Sequence, residues 1–337
     1  MLQELTQQLM AGRDLTEAES QQALQSILSE ETPDSAVGSF LTALSIKGET
    51  SEEITGFVRV MRRHARPVKS RHETIVDTAG TGGGRSTFNI STTAVFVIAG
   101  AGVAVAKHGN RAITSRCGSA DLLSSLGVSV AAGPEKGLES LDSIGLAFLF
   151  APAFHPAMKR VAQVRRELGH RTIFNLLGPL TNPAGAPYQI IGVYGAELTE
   201  KLGGALARLG CGRAWVVHGQ DGMDELSTSA PSHVCEVTGR QVRRFEFDPA
   251  VWGLETGPNE EIPEGGTPEE NAQISLGILE GRIGGPARRV VVLNAAAALH
   301  VAGVSDFSEA IERAEETLDS GAARSKLEQL IRIYSGA

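Results

Sequence analysis

A glycine cluster and a segment rich in Ser and Thr lie close together between residues 77 and 127. Gly80, Gly82, Gly83 and Gly84 follow the short apolar run 75–76. Glycines let a backbone turn sharply and bring its N–H groups close to a ligand. The sequence NISTT at 89–93 then precedes the apolar run 95–101. This pattern is typical of a helix N-terminus, which is a favourable position for an anion.

Basic residues surround these glycines, although the chain carries a net charge of −8. No Asp or Glu occurs from Thr78 to Ala120, a segment that contains Arg85, Lys107, Arg111 and Arg116. A basic segment in an acidic chain favours a ligand with several negative charges, so we expect phosphates. The overall pI near 5.6 argues against a general nucleic-acid binder.

Two common phosphate motifs do not fit this segment. The P-loop requires GK followed by Ser or Thr, whereas Arg85 and Ser86 follow Gly84 here. The dinucleotide fingerprint requires a third glycine at the position of Arg85, and an acidic residue about 20 residues later. Neither is present, so the sequence predicts a phosphate site of another kind.

Two adjacent carboxylates, Asp224 and Glu225, form a second group of residues that could carry chemistry. They lie in GQDGMDELS, which does not have EF-hand spacing. Taken alone, they would be a solvated acidic turn. Beside a phosphate ligand, whose charge needs neutralising, oxygen ligands of this kind favour Mg²⁺.

The sequence KHGNR at 107–111 places a cation, an imidazole and an amide in one short segment. Lys107 could hold a phosphate as a point charge. Asn110 can donate and accept hydrogen bonds, which suits a substrate with an amine and a carboxylate. His108 is either a structural histidine or the nearest candidate for a catalytic base.

Four motifs in this order, GTGG, NIST, KHGNR and GSADLL, resemble the anthranilate phosphoribosyltransferase family. The segment HPAMKRVAQVRRELGHRTIFNLLGPLTNP at 155–183 extends the resemblance, which covers nearly the whole chain. The resemblance implies Mg²⁺-dependent transfer of 5-phosphoribose from phosphoribosyl pyrophosphate (PRPP) to the amine of anthranilate, with release of diphosphate, in tryptophan biosynthesis.

The resemblance also implies roles for individual residues. Ser91, Asp224 and Glu225 are expected to bind metal, as two Mg²⁺ ions per subunit, and Arg165 to bind the anthranilate carboxylate. Lys107 and His108 are the expected catalytic residues. The expected substrate-binding set is Gly80, Gly83, Gly84, Thr87, Asn89, Ile90, Ser91, Thr92, Lys107, His108, Gly109, Asn110, Arg111, Ala112, Ile113, Thr114, Ser115, Ser119 and Arg165.

Gly84 departs from the family pattern, in which an aspartate usually follows GTGG. The departure leaves one metal or loop contact in doubt. We expect this chain to hold metal through Ser91, Asp224 and Glu225 only, unless position 84 faces solvent and tolerates either residue.

Short β-branched runs alternate with helical segments after about residue 73, which predicts an α/β fold with a mainly parallel sheet flanked by helices. GTGGG, KHGNR and DGMDE follow strand candidates, so they should meet at the carboxyl edge of the sheet. The strand candidates are Val103–Ala106, Ala147–Phe150, Ile190–Tyr194, Ala214–His218 and Arg289–Leu293, and Leu198–Leu209 reads as a helix.

Helical periodicity alone marks the N-terminal part of the chain, as in Ile54, Phe57, Val58 and Met61. We therefore predict a helical domain at 1–70, to which an inserted part of about 165–187 returns, and an α/β PRPP-binding domain at 71–337. The tail from Ser305 reads as one long amphipathic helix. The resemblance implies a homodimer formed through the helical domain.

Composition favours a cytoplasmic enzyme. Cys117, Cys211 and Cys235 are far apart, so neither a zinc site nor a disulfide framework is expected. No signal peptide or membrane span is expected either. A pyrimidine nucleoside phosphorylase and a non-enzymatic nucleic-acid-binding relative are alternatives. Asn110 and Arg165 argue against the first, and the charge of −8 with intact motifs argues against the second.

Overall fold

The computed structural model describes residues 1–112, 116–257, 261–303 and 306–335. Its N-terminal part is formed by four helices, and two of them begin at a capping box. Thr16 with Glu19 and Thr50 with Glu53 supply these reciprocal hydrogen bonds. The helices are α1 (Leu2–Met10), α2 (Glu17–Leu28), α3 (Asp34–Lys47) and α4 (Ser51–His64).

Strands and helices alternate after α4. The strands are β1 (Ile75–Gly80), β2 (Ala104–Gly109), β3 (Leu146–Phe150), β4 (Tyr188–Gly192), β5 (Arg213–Gly219), β6 (Ser232–Thr238) and β7 (Gln241–Phe247). The helices are α5 (Ile90–Gly100), α6 (Ser119–Ser125), α7 (Pro134–Ile144), α8 (Ala151–Phe154), α9 (Lys159–Leu168), α10 (Phe174–Leu177), α11 (Glu197–Leu209), α12 (Pro268–Leu279), α13 (Gly285–Val301), α14 (Phe307–Asp319) and α15 (Ala322–Ser335).

The strands form one sheet in the order β3-β2-β1-β4-β5-β6-β7. The first five strands in chain order pair in parallel, whereas β6 and β7 add an antiparallel edge. The predicted α/β class with a mainly parallel sheet is therefore confirmed. Four of the five predicted strands are present with shifted ends. Strand order reverses between β1 and β4, and such a switch point is where open α/β sheets bind ligands.

The predicted strand Arg289–Leu293 is wrong, because these residues lie inside α13. Periodicity cannot separate a short apolar run in a buried helix from a strand. Pro286 stands in the first turn of this helix, and the run continues into buried alanines at 295–298. α13 is therefore apolar on all sides and packs against α5 and α14. None of the described helices has the length and apolar character needed to cross a bilayer.

The C-terminal tail is also different from the single long helix that the periodicity predicts. It consists of α14 and α15, which are separated at Gly321. Gly321 has a φ of 75°. This left-handed conformation favours glycine and ends a helix. The apolar face of α14, with Ala314 and Leu318 buried, is as predicted.

A continuous apolar cluster joins the N-terminal helices to the sheet. It includes Phe40 and Phe57 from α3 and α4, Val164 and Phe174 from the 155–183 segment, and Val216 from β5. The segment thus packs on the N-terminal helices. The division into a helical domain at 1–70, with an inserted part of about 165–187 returning to it, and an α/β domain at 71–337 stays a prediction.

Glu236 anchors the antiparallel edge of the sheet. Its carboxylate accepts hydrogen bonds from Arg213 on β5, from the Trp215 indole and from Arg243 on β7. Burial alone would raise the pKa of Glu236, but these three partners outweigh burial and hold the pKa at about 2. The ionised carboxylate therefore stabilises the folded state.

Replacing this carboxylate should destabilise the protein in a pH-dependent way. Because the folded pKa of Glu236 lies near 2 and its ordinary value is 4.5, the stabilisation is complete above about pH 5 and is lost as pH falls towards 2. We expect Glu236→Gln to lower the free energy of unfolding by about 2–4 kcal/mol at neutral pH. Urea unfolding of both proteins at several pH values measures this difference. A difference that stays constant down to pH 3 would contradict the assignment.

Candidate active site

Three loops meet at the carboxyl edge of the sheet, at the switch point between β1 and β4. The glycine loop follows β1, KHGNR spans the end of β2, and the 221–225 loop follows β5. Gly80 at the end of β1 pairs with Gly192 at the end of β4. Parallel pairing therefore brings together the segments that the sequence singled out.

The glycine loop packs directly on the 221–225 loop. The Arg85 N–H donates to the Gly222 carbonyl at 2.7 Å. A Cβ added to Gly84 would lie 2.7 Å from the Asp224 nitrogen and 2.8 Å from the Gly222 oxygen. Position 84 therefore faces the carboxylate loop and not solvent.

The N-terminus of α5 points towards the same carboxylates. The Ser91 N–H donates to Glu225 Oε1 at 3.2 Å. Asn89 occupies the N-cap position, but its side chain bonds the Cys117 carbonyl and Asn271. Of the other residues predicted in this segment, Ile90 and Thr92 are buried and Thr87 is half-buried.

Asp224 and Glu225 form a half-buried acidic pair. Burial raises the pKa of both groups, and the charge of Asp224 adds to the increase at Glu225. A cation beside them would restore their ionised forms. In the described part of the chain no three His, Cys, Asp or Glu side chains form a metal cage. Two carboxylates and the Ser91 hydroxyl suit Mg²⁺, which keeps several waters and also binds substrate phosphates.

Lys107 is buried beside these carboxylates. Its Nζ donates to the Thr78 carbonyl at 2.5 Å. Burial lowers the pKa of Lys107, whereas the charges of Asp77 and Glu225 raise it. The lysine therefore serves first as an internal countercharge, which leaves its predicted contact with phosphate a prediction.

His108 is buried with one nitrogen unused. Its Nδ1 lies 3.1 Å from the Gly178 carbonyl, and its Nε2 has no hydrogen-bond partner among the described residues. A carbonyl can only accept, so Nδ1 carries the proton and Nε2 offers a lone pair. Burial and the neighbouring His155 lower the pKa of His108 to about 3. A neutral imidazole is therefore present at physiological pH.

The basic character of residues 78–120 is largely offset by carboxylates from outside that segment. Arg111 pairs with Asp121 at 2.8 Å, and Arg85 pairs with Asp221 at 3.3 Å. Asp121 also accepts from the Ala112 and Gly118 N–H groups. The binding of a phosphate ligand by Arg111 therefore stays a prediction, and both Arg85 and Arg111 are already paired with carboxylates in the protein.

The remaining predicted residues lie around these loops. Asn110 is exposed, and its carbonyl accepts from the Ser119 hydroxyl at 3.3 Å. Gly109 ends β2, where a Cβ would overlap Ser119. Ile113, Thr114 and Ser115 lie outside the described residues.

Arg165 lies on α9, apart from the loops. Its guanidinium carbon is 5.3 Å from the centre of the Phe174 ring, and burial lowers its pKa. Among the described residues it has no carboxylate partner, and no described contact joins it to Asn110. A desolvated guanidinium without a partner is suited to a carboxylate ligand.

Sequence reasoning missed three further elements of this region. Asp77 is fully buried, accepts from the His108 N–H and from Asn182, and so supports KHGNR. The His155 ring is 5.0 Å from that of His108. Arg171 donates to the Gly83 carbonyl. Asp77 and Arg171 were not selected because their partners are distant in sequence, and no local pattern marks them.

Known proteins match the chain over almost its full length. The model described as "Glycosyl transferase family, a/b domain" matches residues 72–324, and "Glycosyl transferase family, helical bundle domain" matches residues 3–65. Anthranilate phosphoribosyltransferase of Moorella thermoacetica is 51% identical over 98% of both chains. The chain belongs to the anthranilate phosphoribosyltransferase family of glycosyl transferases.

Solved structures agree with this family. The anthranilate phosphoribosyltransferase of Thermus thermophilus is 42% identical, with a TM-score of 0.90 over 98% of this chain and 99% of that one. The Saccharomyces cerevisiae enzyme in complex with PRPP and Mg is 30% identical, with a TM-score of 0.89 over 100% of this chain and 98% of that one. The predicted fold and family are therefore confirmed.

The effect of position 84 on Mg²⁺ binding can be tested by substitution in this member of the anthranilate phosphoribosyltransferase family. Gly84→Ala should push the 221–225 loop away, because its Cβ would lie 2.7 Å from the Asp224 nitrogen. We expect a stability loss of about 1–3 kcal/mol and a higher Mg²⁺ concentration for half-maximal rate. The matched control is Gly284→Ala, where a Cβ meets nothing within 4 Å. Superimposable Mg²⁺ curves for wild type and Gly84→Ala would show that position 84 has no bearing on metal handling.

Proposed function

We propose that this protein transfers the 5-phosphoribosyl group of PRPP to the amine of anthranilate, giving N-(5-phosphoribosyl)anthranilate and diphosphate in tryptophan biosynthesis. The observation that carries the proposal is the half-buried pair Asp224 and Glu225, which faces the glycine loop and the α5 N-terminus. The family membership supports the same reaction. No described feature favours the phosphorylase or nucleic-acid-binding alternatives.

The chemistry requires a C–N bond to form as the C–O bond to diphosphate breaks. The bonding electrons leave with diphosphate, positive charge develops on the ribose, and the amine then loses a proton. The enzyme's main tasks are positioning and stabilisation of the leaving group's charge. Backbone N–H groups of the glycine loop are the proposed donors for that charge, apart from the Arg85 N–H, which bonds Gly222; the Ser91 N–H of α5 bonds Glu225.

Asp224, Glu225 and the Ser91 hydroxyl would hold Mg²⁺. When bound, the metal neutralises the diphosphate charge and makes it a better leaving group. We propose two ions per subunit, as the resemblance to the family implies. Lys107 supports this arrangement by balancing the charge of Glu225.

His108 is proposed as an acceptor and not as a strong base. Its pKa near 3 makes it a weak proton acceptor at neutral pH. Its Nε2 is buried and has no partner among the described residues, so accepting a hydrogen bond from the substrate amine requires the residues around it to move apart. An aromatic amine is already nucleophilic, so orienting it matters more than removing its proton with a strong base.

The reaction itself is tested by measuring diphosphate release from PRPP with and without anthranilate, in the presence of Mg²⁺. We expect release to require both anthranilate and Mg²⁺, with formation of one N-glycosidic product per diphosphate. Release that requires inorganic phosphate and a nucleoside would instead identify a phosphorylase. Release without any acceptor would identify a hydrolase.

Arg165 is proposed to bind the anthranilate carboxylate. Loss of a charge-assisted hydrogen bond costs about 1.5–3 kcal/mol, so Arg165→Ala should raise the KM for anthranilate roughly 10- to 150-fold. The KM for PRPP should change little. The control is Arg166→Ala, because this neighbour is exposed and points about 100° away on the helix. Equal increases in both KM values would remove Arg165 from the anthranilate site.

We also propose that two copies associate through the N-terminal helices. Met10 on α1 and Ile46 on α3 are 76% and 82% exposed, and these two helices pack on each other. The resemblance to the family implies such a dimer, and these two side chains are apolar groups on the N-terminal helices that an interface could bury. A cytoplasmic location is part of the same proposal and rests on the biosynthetic activity.

Sedimentation velocity tests the association. Ile46→Asp should shift the protein towards monomer, because burying the new carboxylate at an interface is unfavourable. Val251→Asp is the matched control, since Val251 is 72% exposed and lies outside the N-terminal helices. A dimer that withstands Ile46→Asp as well as Val251→Asp would place the interface elsewhere.

A further inference from the structure

Arg171 makes two contacts at the mouth of the glycine loop. Its Nη2 donates to the Gly83 carbonyl at 3.1 Å. Its guanidinium carbon lies 3.8 Å from the centre of the Tyr194 ring, within cation–π distance. Its charge also acts to lower the pKa of Asp224. The guanidinium therefore lies between the glycine loop and the acidic pair.

The glycine at position 83 is matched to this arginine. A Cβ at Gly83 would overlap the Arg171 guanidinium. Gly83 also has a φ of 89°, a conformation that other residues rarely adopt. The close neighbour at Gly83 is therefore the Arg171 side chain. The absence of a Cβ at this position is needed to accommodate Arg171, whether or not a ligand is bound.

The Gly83–Gly84 peptide is held from both sides. In a trans peptide the C=O and the following N–H point in opposite directions. Arg171 holds the Gly83 carbonyl, while Gly84 packs against the Asp224 carboxylate, since a Cβ at Gly84 would lie 2.9 Å from Asp224 Oδ1. The peptide thus connects a cation to a carboxylate of the proposed metal site. Rotation of this one peptide would disturb both partners.

The backbone around Arg171 is tied to the N-terminal helices. The Ser45 hydroxyl on α3 donates to the Arg171 carbonyl at 3.0 Å, and Thr42 Oγ1 lies 3.3 Å from His170 Nε2. The stacking partner Tyr194 is fixed to the glycine loop, because its N–H donates to Thr81 Oγ1 at 3.2 Å. Arg171 therefore links α3, the glycine loop and the segment that follows β4.

We propose that Arg171 is a positioning residue, which orients the Gly83–Gly84 peptide and through it the Asp224 carboxylate. The inference rests on the proposed function. On this proposal, Arg171 supports the binding of Mg²⁺ and PRPP but has no role in the binding of anthranilate. The guanidinium plane is required as well as the charge, because the side chain must stack on Tyr194 and reach Gly83 at once.

The test compares Arg171→Gln and Arg171→Lys with the control Arg166→Gln, an equal change of charge on an exposed residue of α9. We expect Arg171→Gln to raise the KM for PRPP and the half-activating Mg²⁺ concentration about tenfold, as for loss of one charge-assisted hydrogen bond. The KM for anthranilate should stay within about twofold. Arg171→Lys should recover part of the loss, and Arg166→Gln should resemble wild type.

Calorimetric titration of the protein with PRPP, in the presence of Mg²⁺ and without anthranilate, measures PRPP affinity independently of turnover. The Kd of Arg171→Gln should rise about tenfold while its Tm stays close to that of wild type. Unchanged PRPP affinity, or equal increases in both KM values, would overturn the positioning role. Failure of the proposed function is distinguishable, because wild-type protein would then release no diphosphate from PRPP in the presence of anthranilate and Mg²⁺.

Discussion

The site depends on the close approach of two backbones at the carboxyl edge of the sheet. Gly84 and Gly192 face the 221–225 loop, and a Cβ at Gly192 would overlap the Asp224 carbonyl. Because Gly84 and Gly192 have no side chains, the 221–225 loop can lie against the ends of β1 and β4. Asp224 and Glu225 are thereby brought to the glycine loop and to the α5 N-terminus, far from where the sequence places them.

This approach buries charges, and the structure offsets them internally. Asp77 and Glu225 lie beside Lys107, and Asn182 bonds both Asp77 and the Ala106 carbonyl. Burial raises the pKa of Asp77, whereas the charge of Lys107 and the hydrogen bond from Asn182 lower it, and the pKa lies at about 6 with these partners in place. Removing one partner would leave an uncompensated buried charge. The strand ends that carry KHGNR are thus held by electrostatics as well as by the sheet.

Sequence patterns predicted the fold class because strand and helix periodicities are local. They failed where burial overrides periodicity, as in α13, and where pairing closes over a short turn, as in β6 and β7. For the site, GTGG, NIST, KHGNR and the acidic pair were recognisable because their residues are contiguous. Asp77 and Arg171 were not, since a carboxylate 31 residues from its His108 partner and an arginine 88 residues from Gly83 leave no local signature.

The pairing of basic residues changes how phosphate binding is understood. The sequence shows four basic residues without an acidic residue between 78 and 120, but Arg85 and Arg111 bind Asp221 and Asp121, and Lys107 is buried. Their net field on an approaching polyphosphate is therefore much smaller than their number suggests. Recognition must then rest on oriented backbone N–H groups and on a metal ion. That dependence explains why the orientation of a single peptide, between Gly83 and Gly84, can matter as much as any one charge.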